Sequence, residues 1–157
     1  MTVFGAKLLQ SDGTSLNGEY KYDLSGAWNE VPGNGAYVAV TGNLIAGGIG
    51  PRLAWLECEE EVAGVETPSG VKCFRRVRVL DECPDGAAPE LYGEVACFAP
   101  GLSDEQRIKL ALRSTSRWRG KVACYADARM EPRRSFMVKW RAWRRSFMVK
   151  WRAWHRD

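Results

Sequence analysis

At Pro84 the hydrophobic period of this chain changes, and that change limits the fold more than any other feature of the sequence. Before it, apolar residues come in short runs or alternate with polar ones, and the runs are separated by turn residues. Val3 to Leu9 reads as a strand and Ser11-Asp12-Gly13 as a turn. Glu19 to Leu24 alternates Tyr20 and Tyr22 with charged neighbours, and Trp28 follows in a loop. Pro32-Gly33-Asn34-Gly35 turns the chain into a buried strand over 36–40. Residues 52–62 and 71–81 are the two longest strand candidates. On the second of these, Val71, Cys73, Val77 and Val79 share one face, with Lys72, Arg76 and Arg78 on the other. After Pro84 the spacing is helical. Leu91, Val95 and Phe98 lie on one stripe of a helix over 90–99, which Pro100-Gly101 ends. Ser103-Asp104-Glu105-Gln106 is a capping box opening a second helix, with Ile108, Ala111 and Leu112 facing inward.

The helical part repeats itself. Residues 90–99 align with 117–126 at an offset of 27, keeping Gly, Val, Ala, Cys and Ala in place together with one aromatic position. The pattern predicts two units, each of two short antiparallel helices. The second helix of the second unit then falls on the tail, where Arg133 to Trp143 is followed at once by the same eleven residues, Arg144 to Trp154. Eleven residues advance a helix by about three turns with about 20° of drift, so both copies present one continuous stripe. Phe136, Trp140, Trp143, Phe147, Trp151 and Trp154 occupy it. Pro132 stands at the first helical position. A strand hairpin competes, because Phe136, Val138 and Trp140 alternate with polar neighbours, but no Gly, Asn or Pro stands at the joint. The expected fold is therefore α+β. A small, mainly-β front domain (1–84) leads into a short α-helical repeat (85–132) and a basic amphipathic C-terminal helix (133–157).

Composition is that of a soluble globular protein, 45% hydrophobic and 27% charged. Charge is unevenly spread. Residues 133–157 hold nine Lys and Arg against one Asp, while the rest of the chain is net acidic. No run of eighteen apolar residues exists and the first residues lack a signal-peptide pattern, so a cytoplasmic setting is expected. Cys58, Cys73, Cys83, Cys97 and Cys124 are odd in number and without Cys-x-x-Cys spacing, which fits reduced thiols better than disulfides or a zinc site. His155 is the one histidine and lies at the C-terminal end, so no histidine triad or histidine metal cluster is expected. The glycine-rich stretch 41–51 lacks Gly-Lys-Ser/Thr and runs into Pro51, so it reads as a turn rather than a phosphate cradle. The acidic run Glu57, Glu59, Glu60 and Glu61 reads as a solvated strand end. No cofactor is expected.

Two resemblances can be placed on these residues. Trp-Arg-Gly-Lys-Val-Ala (118–123) and Leu-Ser-Asp-Glu-Gln (102–106), each opening a helix, resemble HEAT-like and leucine-rich-repeat-variant arrays. Gly33 to Val40 and Gly50 to Glu59 are similar to small uncharacterised domains of bacteriophages. That likeness implies a phage or prophage source and no definite activity. Many such domains carry a histidine signature that this chain lacks.

The expected function is a non-enzymatic interaction protein that binds a protein partner or itself as a homodimer. A second reading is nucleic-acid binding through the tail, with Lys and Arg on phosphates and Trp stacked on bases. A third is a nucleotide-dependent transferase in the front domain. A membrane surface is a further partner for a basic helix rich in Trp. The candidate binding residues are Arg144, Arg145, Phe147, Lys150, Trp151, Arg152 and Trp154. Tyr20, Tyr37, Arg52 and Glu57 are candidates for a front-domain cleft.

Overall fold

The computed structural model describes residues 2–130 and, in the tail, Arg145 and Val149; side chains are described as far as residue 123 and at those two positions. Five strands, β1 (Val3–Leu9), β2 (Asn29–Glu30), β3 (Ala36–Ala39), β4 (Arg52–Glu61) and β5 (Val71–Leu80), precede three helices. These are α1 (Pro89–Phe98), α2 (Asp104–Arg113) and α3 (Ser116–Met130).

The strands do not form an open layer. β1 pairs with β3 and β4, and β5 pairs with the same two, all antiparallel, so β1, β3, β5 and β4 close into a four-stranded barrel. β2 is added outside the ring, against Arg76 and Val77 of β5. Strand alternation then divides the core in two. Along β4, Ala54, Leu56 and Cys58 point into the barrel with Leu9, Val38, Phe74 and Val77. Trp55 turns outward to a second cluster that Ala6 and Leu8 of β1 share with Leu91, Tyr92 and Val95 of α1. Gly5 on β1 allows the barrel its tight waist, because a Cβ there would lie 2.3 Å from Val38 Cγ1.

Each helix end has an identifiable cause. Pro89 opens α1, where its missing N–H costs nothing. Its C-terminal carbonyls are met from α2, whose Arg107 donates to Ala96 O at 2.7 Å and Ala99 O at 2.9 Å. α2 opens on the Ser103/Gln106 capping box that the sequence predicts.

The expected architecture is corrected in three respects. The front strands make a closed antiparallel barrel with one added strand rather than a general mainly-β layer, and the segment 19–24 contributes only an isolated bridge through Lys21. No helical repeat is shown among the described residues: the aligned segments are α1 and α3, and they pack on each other. A Cβ on Gly93 of α1 would lie 2.3 Å from Trp118 Cγ of α3, whereas one on the aligned Gly120 would meet nothing within 4 Å. Residues matched in sequence thus have unlike surroundings, because only α1 is held between the barrel and a second helix. Finally, no basic amphipathic C-terminal helix is shown among the described residues. The stripe and hairpin expectations for 133–157 otherwise fall outside them. No helix of the described residues is long and apolar enough to cross a membrane.

Candidate functional site

β1 and β3 are joined at a single register pair, Ala6 with Ala39. Beyond it the strands part, and β1 continues along β4 on its other side as far as Leu9 and Arg52. The gap opens into a cleft of about 280 Å³ at the barrel mouth. Lys7 crosses it: its Nζ donates to Tyr37 O on β3 at 2.8 Å. By alternation Lys7 shares the inward face of β1 with Leu9. Burial lowers its pKa below the usual lysine value, with the Cys73 thiol acting in the opposite direction.

Loops from separate parts of the chain complete the walls. Residues 15–22 are folded back by Ser15 N donating to Tyr20 O and Tyr22 N to Gly13 O. This segment is fixed by Asn29, a buried side chain that accepts from Tyr20 Oη at 3.3 Å and from Asp23 N at 2.7 Å while donating to Val77 O at 3.3 Å. Tyr20 meets the ring of Tyr22 edge-on at 4.9 Å, and burial raises the pKa of Tyr20, with Asp23 and Glu30 adding to the rise.

The glycine-rich loop forms the opposite wall. It is a turn between β3 and β4, as its composition suggests, and α1 holds it. The Glu94 carboxylate accepts from Asn43 N at 3.1 Å and from Leu44 N at 3.0 Å. Asn43 takes a left-handed φ of 57°, which aims both amides at that carboxylate. Ile45 and Ile49, on the loop whose Leu44, Ala46 and Gly48 line the cleft, are left 40% and 79% exposed.

Of the four front-domain candidates, Tyr20 and Tyr37 line this cleft, while Arg52 and Glu57 do not. Arg52 donates to Ser11 O at 3.4 Å from the start of β4. Glu57 belongs to a cross-strand ladder of charges. It is paired with Arg78 at 2.5 Å, Glu59 with Arg76 at 2.8 Å and Glu61 with Lys72 at 3.2 Å. Arg76 also meets Glu30 of β2 at 2.7 Å, and Arg76 and Arg78 both lie over the Trp28 ring. Three of the four residues of the acidic run, Glu57, Glu59 and Glu61, are therefore paired with the basic face of β5. Arg145 is exposed. Arg144, Phe147, Lys150, Trp151, Arg152 and Trp154 lie outside the described residues.

Lys7 is the site residue that sequence reasoning misses. Its signal is visible, a single charge inside the apolar run Val3–Leu9, yet only the parting of β1 from β3 gives that charge a cleft to occupy. Among the described residues no group of three or more His, Cys, Asp or Glu is placed to hold a metal ion. No family model matches the chain, and neither the curated proteins nor the solved structures contain a significant match to it.

Proposed function

We propose that this chain is a non-enzymatic interaction protein that receives a segment of a partner polypeptide at the cleft between β1 and β3. One observation carries the reading. The exposed large apolar side chains among the described residues are Tyr37, Ile45, Ile49 and Val149; Tyr37 lines this cleft, and Ile45 and Ile49 stand on the loop whose Leu44, Ala46 and Gly48 line it. Apolar side chains gathered at the rim of a concavity mark a surface that gains by being covered.

The competing ligands fit less well. A cleft of about 280 Å³ sits below the usual range for drug-sized ligands, roughly 300–1,000 Å³, and is small for a dinucleotide or nucleoside triphosphate. On the described surface Lys72, Arg76 and Arg78 of β5 are paired with Glu61, Glu59 and Glu57, so that face offers little net charge to phosphates. A cytoplasmic setting is part of the proposal. It draws support from the free thiols of Cys58, Cys73, Cys83 and Cys97.

The test is selection of a displayed peptide library, in both internal and C-terminal formats, on the full-length protein. Selected peptides should lose about tenfold or more in affinity on the Ile45→Asp/Ile49→Asp variant, the effect of removing a rim anchor worth more than about 1 kcal/mol. Peptides that bind this variant as tightly as the unaltered protein would end the reading.

A further inference from the structure

Building on that reading, we propose that the cleft takes the carboxyl terminus of the partner, with the terminal carboxylate on Lys7 Nζ and an apolar last side chain against Leu16 and Leu44. Only two charged residues line the cleft, Lys7 and Glu19. Glu19 is exposed at the outer edge, whereas Lys7 stands half-buried at the strand gap. An ammonium has three N–H donors, and the one hydrogen bond shown for Lys7 among the described residues goes to Tyr37 O. Two donors therefore remain for the cleft. A half-buried cation in a cleft also lined by Val31, Ala36 and Val71 is partly desolvated, and an anion brought to it is held by charge-assisted hydrogen bonds in surroundings that screen less than open water.

Shape distinguishes a chain end from other carboxylates. The walls come from 15–22, 31–37, 43–48 and 68–71 as well as β1, and their cleft of about 280 Å³ has room for a terminal residue rather than for a longer segment passing through. A chain end needs one entrance. It also places a carboxylate and an apolar side chain on the same carbon, which suits one ammonium set among apolar walls. A free small acid would fill the cleft but leave Ile45 and Ile49 uncovered, whereas a peptide extends over them. Glu19 at the mouth disfavours further acidic residues in the entering segment.

The probe is the peptide N-acetyl-Gly-Ser-Ile-Leu, titrated calorimetrically into the full-length protein as its free acid and as its C-terminal carboxamide. The acid should bind about tenfold to a hundredfold more tightly, the effect of one charge-assisted hydrogen bond to a buried partner. Lys7→Met should remove the difference and Lys7→Arg restore part of it. If Lys7→Met does not fold, the ¹⁵N shift of the Lys7 ammonium in the unaltered protein gives the same answer, moving with the acid and not with the carboxamide. Equal binding of acid and carboxamide would overturn the proposal. So would equal binding by an amidated peptide carrying an internal Glu, or by N-acetyl-leucine alone. If no probe binds while library peptides still depend on Ile45 and Ile49, the carboxylate assignment falls and the interaction reading stands. If no binder depends on those isoleucines, the interaction reading itself falls.

Discussion

Two of the four seams of the barrel could hardly be less alike. Between β4 and β5, register pairs run from Trp55–Leu80 to Glu61–Phe74, and the outer face is tied by Glu57–Arg78, Glu59–Arg76 and Glu61–Lys72. Between β1 and β3 there is one pair, Ala6–Ala39, and a lysine side chain spans the gap beyond it. The first seam pairs Glu57, Glu59 and Glu61 with Arg78, Arg76 and Lys72 across its strands. The second leaves an ammonium with donors to spare, a cleft and an apolar rim. The physical lesson is that a small barrel keeps an open cleft where its ladder is left incomplete, since a complete ladder hides its polar groups and closes the space between strands.

The largest effect should come from the interior that both seams share. Phe74 is 1% exposed on β5, where it meets β3 at Ala36 and β4 at Glu61. Phe74→Ala should cost about 3–5 kcal/mol in chemical denaturation. A smaller loss would mean that the two seams are not coupled through a common core.

Next in size is a change aimed at the weak seam alone. Gly5→Ala places a methyl group 2.3 Å from Val38 Cγ1 and 2.8 Å from Ala39 O. It should cost about 1–3 kcal/mol. Val38→Ala in the same chain should relieve part of that cost, so the double variant should lose less than the sum of the two single losses. Strict additivity would show that the clash does not govern the seam.

The two seams should also respond oppositely to alkali. Burial lifts the Cys58 thiol on β4 from 9.0 to about 12, and the Cys97 thiol on α1 to about 11. The unfolded chain therefore releases these protons first. Stability contributed by the protonated thiols is present below pH 9.0 and is lost as pH rises towards about 12. The slope is at most about 1.4 kcal/mol per pH unit for each group. Lys7 behaves in the opposite sense. Its folded pKa lies below 10.5, so between that lowered value and 10.5 the unfolded chain binds the extra proton and stability rises with pH. Denaturation curves taken from pH 8 to 11 should thus fall less steeply for Cys58→Ala and more steeply for Lys7→Met. An unchanged slope for Lys7→Met would remove Lys7 from its buried setting.

The smallest effect belongs to the surface charges. The Glu57 side chain is 15% exposed and that of Arg78 is 40%. A double-mutant cycle with Glu57→Gln and Arg78→Ala should give a coupling of about 0.2–1 kcal/mol, reduced in high salt. A coupling of several kcal/mol would make this ladder, rather than the shared interior, the main fastening of the strong seam.

Local chemistry by itself determined most of the elements. Alternation defines β1, β4 and β5 closely enough for their limits to be read. The capping box at Ser103 sets the start of α2, and glycine and proline mark the loop before β4, because each of these signals acts over a few neighbouring residues. Of the four residues expected around a front-domain cleft, Tyr20 and Tyr37 line it. The pairing of strands lay beyond such signals. Nothing in the sequence of β5 tells it to pair with β3 and β2 along one edge and β4 along the other, because strand partnership depends on contacts distant in sequence. The fates of Glu57, Arg52 and Lys7 are set by that pairing: Glu57 is drawn into an ion pair, Arg52 is left at a strand start, and Lys7 is set in a cleft. The aligned glycines Gly93 and Gly120 make the same point for the helices. A repeat in sequence specifies equal residues, but only packing decides which copy is pressed against Trp118 and which faces open space.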